Sequence, residues 1–164
     1  MEAEEIIKAY YNSPIGLVEV TGTESYVSSV KFTDRGQARK APPFVLEKCI
    51  RQLDEYFKGK RQEFSIDLKL EGTEFQKKVW AELTTIKFAK TISYIELAKR
   101  LKDPLAVRAV GNANAKNHFC LIFPCHRVIG SNGHLIGYAG GLKRKQWLLE
   151  HERKVVGNFQ MSLF

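Results

Sequence analysis

Five consecutive apolar residues, Phe119-Cys120-Leu121-Ile122-Phe123, stop at Pro124. Such a run reads as a short buried strand or extended segment. Proline ends it, because it donates no backbone N–H and fixes its own φ. Cys125, His126 and Arg127 follow directly, so three chemically active side chains are forced to the edge of a core. A thiol is a poor nucleophile until it ionises, and an adjacent imidazole or cation lowers the cost of that step. Cys125 is therefore a candidate nucleophile. A lone cysteine behind an apolar run is more often an inert core thiol, with its histidine neighbour satisfying a backbone group, so the rest of the chain has to decide.

Length and charge narrow the field. A chain of 164 residues, 44% of them hydrophobic, suits one compact domain or two small ones sharing an interface. No apolar run is long enough to cross a membrane, and the acidic start, Met1 to Glu5, lacks the layout of a signal peptide. The expectation is a soluble, cytoplasmic protein with no membrane partner. Lys and Arg number 26 against 18 Asp and Glu, a net charge of +8, which favours a polyanionic partner, although simple solubility would also use it. Three cysteines, an odd number, argue against a disulfide framework, and no Cys or His spacing matches a metal site. Neither a metal nor a cofactor is expected.

The fold class expected is α/β (α+β). Ile6 to Tyr11, Gly16 to Thr21 and Tyr26 to Thr33 read as three strands of an antiparallel meander, joined by turn-forming residues. Asp34 to Pro43 is a polar, basic connection. Phe44 to Lys58 is a helix whose apolar stripe is Leu46, Cys49, Ile50, Leu53 and Phe57, so Cys49 reads as core. Phe64, Ile66, Leu68 and Leu70 alternate with polar residues, as in an extended segment. Residues 1–71 are thus expected to form a small structural domain of a three-stranded sheet plus a helix.

Residues 72–164 read as a second, mostly helical, winged-helix-like domain. Thr73 and Gln76 have capping-box spacing at the start of a helix running to about Ile86, with Phe75, Val79, Trp80 and Leu83 buried. Ser93 and Glu96 repeat that spacing for a short helix to about Leu101. Lys102-Asp103-Pro104 breaks it, and Pro104 is expected in the first turn of a helix from Leu105 to Ala115. The pair reads as a helix-turn-helix. Its second helix is nearly smooth, with Arg108 the one long polar side chain before Lys116. Small residues allow the close approach that a minor groove about 6 Å wide requires, and they suit tight helix packing equally well. Val128-Ile129-Gly130 is extended, Ser131-Asn132-Gly133 a turn, and Tyr138-Ala139-Gly140-Gly141 flexible backbone able to lie against a ligand. A last helix covers Lys143 to about Arg153, with Trp147, Leu148 and His151 on or near one face and Glu152 near its end. The tail, Lys154 to Phe164, is expected to pack back on the body.

Taken together, Pro124-Cys125-His126-Arg127-Val128, Ser93-Tyr94 with Leu97-Ala98, Arg108-Ala109-Val110-Gly111, Asn117, Tyr138-Ala139-Gly140-Gly141-Leu142 and Trp147-Leu148-Leu149 with Glu152 resemble the O6-alkylguanine-DNA alkyltransferases in order and spacing. The resemblance covers about Gly72 to Glu152. It implies direct reversal of DNA alkylation by a single-turnover methyltransferase. The Cys125 thiolate is implied to attack the alkyl carbon on guanine O6, with thymine O4 as a second substrate position, and to keep it as a thioether. His126 is implied as the base, through a water, Glu152 as the group that orients it, and Tyr94 as donor to guanine N3. The substrate pocket would include Val128, Tyr138 and Ala139, with the Cys125 and Val128 carbonyls accepting from the guanine amine. The lesion lies inside the duplex and must be flipped out. Arg108 is implied to fill the gap, with Ala106, Ala109, Gly111 and Asn112 against the minor groove. Asn117 would tie the helix-turn-helix to the active-site segment. The partner implied is double-stranded DNA bearing O6-alkylguanine, met by a monomer in the nucleoid, or in the nucleus of a eukaryote.

Two departures from the family pattern stand out. Ala139 occupies a position where several relatives place a serine, and no Cys or His precedes Cys49 to form the zinc site of some relatives. Two rival readings predict different behaviour. A non-catalytic helix-turn-helix recognition protein would keep full function without the Cys125 thiol. A Cys-His-Glu hydrolase would turn over an ester or amide repeatedly and would need an oxyanion hole.

Overall fold

The computed structural model describes residues 4–37, 41–131, 133 and 138–161. The chain partitions into two compact units: Met1–Leu70 with His118–Cys120, and Glu71–Asn117 with Leu121–Phe164.

In the first unit, β1 (Ile7–Ser13), β2 (Gly16–Gly22) and β3 (Val27–Thr33) form the expected antiparallel meander in the order β1-β2-β3. The first strand runs two residues past Tyr11, leaving the turn at Pro14-Ile15, because Ser13 still pairs with Gly16 and its hydroxyl donates to the Gly16 carbonyl at 2.6 Å. Gly22 sits at a register irregularity, where a Cβ would come within 2.2 Å of the Tyr26 carbonyl oxygen, so only glycine fits. Ala9, Val18, Val20, Val27 and Val30 are buried, as are Leu46, Cys49, Leu53, Tyr56 and Phe57 of α1 (Phe44–Phe57). Ile50 falls to the edge of that stripe, and Gln52 and Tyr56 join it. Gln52 is tolerated there because its amide is answered: Ser65 N–H donates to Oε1 at 2.9 Å and Nε2 donates to Ser65 Oγ at 3.1 Å. The extended segment after α1 bridges β3 in parallel, Val27 to Leu68, and Val30 bridges Phe119 likewise.

The second unit holds α2 (Glu74–Leu83), β4 (Ile92–Ser93), α3 (Tyr94–Arg100), α4 (Val107–Ala115), a single 3-10 turn (Cys125–Arg127), β5 (Val128–Ile129) and α5 (Leu142–Met161). The α2 capping box forms as its spacing indicates, with Gln76 N–H donating to Thr73 Oγ1 and Thr73 N–H to Gln76 Oε1, both at 3.0 Å. The α-helix ends at Leu83 rather than Ile86, and the next three residues continue as tight turns. Ser93 caps α3 through Glu96 N–H, while the Glu96 carboxylate lies 3.5 Å from Arg100 Nε.

Pro104 does not stop α3, nor does it start α4. Lys102 takes a left-handed φ of 62°, and the bonds Asp103 N–H to the Ala98 carbonyl and Lys102 N–H to the Lys99 carbonyl close a Schellman motif before the proline is reached. Pro104 and Leu105 then form a turn, and α4 begins at Val107. The apolar run ahead of Pro124 is likewise not extended throughout, since Leu121 has φ 74° and starts a turn. Gly133 N–H closes its expected turn on the Gly130 carbonyl at 2.9 Å, with Asn132 outside the described residues. The tail after Arg153 is helical as far as Met161, α5 running unbroken from Leu142, with residues 155–157 half-buried; residues 162–164 lie outside the description, as do 1–3 and 38–40 of the N-terminal readings. No helix among the described residues is long and apolar enough to cross a membrane.

Candidate active site

One face of α5 repeats at helical spacing: Lys145, Leu148, Leu149 and Glu152 are all buried, two charged residues among them. Trp147 and His151, expected on that face, stack on each other at its half-buried flank with ring centroids 4.9 Å apart. Glu152 is fully buried and saturated with donors. Arg127 reaches it twice, Nε to Oε1 at 2.9 Å and Nη2 to Oε2 at 3.1 Å, and the Ala89 N–H donates to Oε1 at 3.0 Å. Ala89 holds a left-handed φ of 63°, and this charge-assisted bond offsets that strain. Arg127 is itself completed by the Ile86 carbonyl at 2.7 Å.

His126, also fully buried, lies with Nε2 at 2.6 Å from Glu152 Oε2. Burial pushes the Glu152 carboxyl up, but the opposing pull of His126 and Arg127 exceeds it and holds the group well below the usual carboxylate range. An ionised carboxylate only accepts hydrogen bonds, so the proton on the imidazole must sit on Nε2. Burial lowers His126 from its ordinary value, against the pull of Glu152, and keeps it neutral. Its other nitrogen, Nδ1, is buried with no hydrogen-bond partner among the described residues. The tautomer is thereby fixed, with a bare basic nitrogen on the side away from Glu152.

Cys125 precedes this histidine in the same 3-10 turn and is 2% exposed. Asn117 Nδ2 donates to the Phe123 carbonyl at 2.9 Å, pinning the segment just ahead of the thiol. Val128 is buried in β5, whose parallel pairing with β4 sets Ile92 beside Val128. Tyr94, at the start of α3, is buried and its phenol is raised, first by burial and also by charge on Cys125, while a hydrogen bond from Asn114 opposes both. Tyr138 is buried and Ala139 exposed, in a turn closed by Gly141 N–H on the Tyr138 carbonyl.

Two residues here were not singled out from sequence, Lys145 and Asn114. Arg127, the cation next to the thiol in the chain, has its charge committed to Glu152 instead. The buried cation near Cys125 is Lys145, whose Nζ donates to the Val128 carbonyl at 2.5 Å and stands 5.9 Å from the Tyr94 ring centroid. Burial drives it down to about 8, and charge on Cys125 pulls the other way. Asn114, on the buried face of α4, donates to the Cys125 carbonyl at 3.4 Å. The signal for Lys145 and Asn114 was available: each is a polar residue in register with an apolar stripe. By contrast Cys49 is buried on the apolar stripe of α1, and burial alone pushes its thiol up to about 12.

Outside this buried cluster, Arg108, Ala109 and Asn112 are exposed on α4, and Ala106 and Gly111 half-buried. A cleft of about 460 Å³ opens beside that helix, lined by Tyr94, Ile95, Val107, Gly111, Asn112, Ala115, Gly130 and Ser131. Among the described residues no group of His, Cys, Asp or Glu is placed to hold a metal ion.

Residues 74–154 match the family model described as "6-O-methylguanine DNA methyltransferase, DNA binding domain", and residues 6–70 the one described as "6-O-methylguanine DNA methyltransferase, ribonuclease-like domain". The chain belongs to the 6-O-methylguanine DNA methyltransferase family. It is 44% identical to a methylated-DNA–protein-cysteine methyltransferase of Mycobacterium leprae over 88% of this chain and 91% of that protein. One from Methanosarcina acetivorans is 43% identical over 88% and 96%. Among solved structures, Mycobacterium tuberculosis O6-methylguanine methyltransferase superposes with a TM-score of 0.82 at 38% identity, covering 92% of this chain and 94% of that one. A complex of the M. tuberculosis protein with DNA gives 0.82 at 40% identity, covering 90% and 93%. The three-stranded sheet with its helix and the helical unit are thus those of a methyltransferase of this family, in agreement with the fold class expected from sequence.

Proposed function

We propose that this methyltransferase repairs alkylated DNA by moving the alkyl group from guanine O6 in duplex DNA onto Cys125, once per molecule. The observation that carries the reading is a buried thiol followed directly by a histidine whose tautomer is locked by an ionised, fully buried glutamate. In the proposed reaction His126 Nδ1 takes the Cys125 proton through a water, and Glu152, bonded to Nε2–H, stabilises the imidazolium that results. The thiolate attacks the alkyl carbon in line; the S–C bond forms as the C–O6 bond breaks. The purine leaves with the electron pair and takes a proton at N3 from Tyr94. The proton gained by His126 balances the one given by Tyr94, so guanine and a neutral thioether are the products. A thioether is not exchanged by thiols, so each molecule works once.

Lys145 adds positive charge beside the thiolate. The Cys125 and Val128 carbonyls accept from the guanine amine, and Tyr138 and Ala139 complete the pocket. Ala139 contributes no hydroxyl, which leaves backbone groups to face O6. The lesion must leave the stack to reach a buried thiol, at a cost of a few kcal/mol. Arg108 recovers part of that by filling the gap, with Ala106, Ala109, Gly111 and Asn112 against the minor groove. Asn117 links this helix to the active-site segment. In this reading residues 72–164 carry binding and chemistry, residues 1–71 are structural, and a monomer acts wherever the DNA is kept, in the cytoplasm or nucleoid.

The test is intact mass after mixing with a duplex carrying one O6-methylguanine. A stoichiometric gain of one methyl group on the Cys125 peptide, absent in Cys125→Ala, is expected. Unchanged mass with tight duplex binding would leave a recognition protein without chemistry. Unchanged mass without binding, or repeated turnover of an ester, would return Cys125 to the hydrolase reading.

A further inference from the structure

All of the chain's net charge of +8 falls in the second unit, since Lys and Arg balance Asp and Glu in the first. Among the described residues the most exposed large apolar side chain also lies there: Leu105, 95% accessible, just ahead of α4. A leucine that merely tolerates exposure needs no reason, but this one is held out by its backbone. Asp103 N–H donates to the Ala98 carbonyl at 3.1 Å, and Ala106 N–H to the Asp103 carbonyl at 3.0 Å. Pro104 fixes its own φ between them. The backbone is therefore pinned on both sides of Leu105. From residue 99 to 108 every exposed charged side chain except Asp103 is cationic: Lys99, Arg100 and Lys102 before the leucine, Arg108 three positions after it. A rigid apolar tip among cations suits a partner with apolar faces behind a negative rim, which is the make-up of a duplex groove walled by phosphates.

We infer that Leu105 is an apolar wedge for duplex DNA: it enters the minor groove beside the lesion and unstacks the base step there, so that the alkylated nucleotide leaves the helix and Arg108 takes its place. This rests on the proposed transfer reaction, in which α4 meets the minor groove. Leucine offers no donor to a phosphate and reads no base edge, so it adds to binding only where it leaves water against sugars or base faces. Apolar side chains inserted between base steps are a general way to open a duplex from its minor groove. The small residues that follow, Ala106, Ala109 and Gly111, let the helix come close enough for a side chain as short as leucine to reach the stack. The wedge starts the opening; Arg108, longer and charged, holds the vacated space.

Leu105→Ser removes the wedge and Leu105→Met keeps an apolar side chain; both should melt within about 2 °C of wild type, because position 105 is exposed. Transfer is measured in single turnover at saturating concentration on three substrates: O6-methylguanine paired in a duplex, the same lesion beside an abasic site, where the step is already open, and a free O6-alkylated guanine base. On the paired lesion Leu105→Ser should be slower by about tenfold, and Leu105→Met within about threefold of wild type. On the opened duplex and on the free base all three proteins should agree within about twofold. The slope of log Kd against log salt should not change, because a leucine releases no counterion. In the Cys125→Ala background, which holds the complex before transfer, a fluorescent base analogue beside the lesion should brighten on binding, and Leu105→Ser should remove most of that signal. An equal loss on the paired and the opened duplex, a wild-type rate in Leu105→Ser, or a changed salt slope overturns the inference. So does an unaltered rate with lost self-association in sedimentation or lost binding to phosphatidylglycerol vesicles, which would give Leu105 to a second copy of the chain or to a lipid surface. If the paired lesion leaves wild-type Cys125 unmethylated, the transfer reading falls and this one with it; an active wild type matched by Leu105→Ser removes this inference alone.

Discussion

Glu152 takes two hydrogen bonds from Arg127, one from Ala89 and one from His126, all in a fully buried site. Removing its charge leaves the Arg127 guanidinium buried without a counter-ion. We expect Glu152→Gln to lose roughly 3–5 kcal/mol in urea denaturation, and to transfer alkyl groups at least 100-fold more slowly in a stoichiometric methylation assay. Adding Arg127→Met to it should restore much of the stability and none of the transfer, because the imidazole still lacks its orienting carboxylate. Acid sensitivity follows from the same pair. Both groups are lowered in the folded protein, His126 from 6.5 and Glu152 from 4.5. Below each ordinary value the unfolded chain binds protons that the folded chain refuses, so stability falls as pH drops through 6.5 and again through 4.5, and is fully present at neutral pH. Thermal melts across that range should show a declining Tm; Glu152→Gln should lose the step below 4.5 and keep the step below 6.5, because glutamine does not titrate and His126 loses the carboxylate that raised it. Transfer itself should persist somewhat below 6.5, because His126 remains unprotonated there.

At the scale of elements, the helix-turn-helix depends on how α3 ends. The Schellman motif needs a left-handed residue at position 102, and this chain supplies a lysine at φ 62°. A side chain there costs about 1 kcal/mol that glycine avoids. Lys102→Gly should therefore stabilise the protein by up to about 1 kcal/mol in equilibrium denaturation, since no partner for the Lys102 side chain figures in the motif. A loss of stability would show that the lysine stem makes a contribution larger than the backbone strain. The other end of the reading frame behaves differently: α5 gains a turn or more beyond Arg153 because Val155, Val156 and Gly157 stay half-buried there, which no cap or proline in the sequence contradicts.

The molecule as a whole carries +8. Acidic and basic side chains pair locally, as in Lys58 with Asp54 at 2.8 Å and Lys77 with Glu74 at 3.7 Å, but the excess of basic residues remains. If the partner is duplex DNA, binding must release counterions, and log Kd should rise linearly with log salt at a slope of about 0.9 per phosphate contacted. A titration of Kd between low and physiological salt checks this. A flat response would mean that the charge serves solubility alone.

Much of this protein was legible along the chain, because the signals were local. Three alternating segments with turn residues between them made the meander, Thr73 and Gln76 made a capping box, and Pro124-Cys125-His126 placed the thiol beside an imidazole. The blocks around Tyr94, Arg108, Asn117 and Glu152 identified the family, since their order and spacing are linear properties. Where the reading failed, the deciding forces were not local. Pro104 looked like the helix breaker, yet backbone bonds from Asp103 and Lys102 to the preceding turn ended α3 first. Arg127 looked like the cation for the thiol, yet a carboxylate 25 residues away claimed it. Lys145 and Asn114 belong to no chemical motif in the sequence, and only the meeting of α4, α5 and the Cys125 turn buries them beside the Val128 and Cys125 carbonyls. Sequence determined which groups could do the chemistry; the tertiary structure decided which of them are neutral, which are charged and which way each hydrogen bond runs, because burial and proximity set those states and neither is written in residue order.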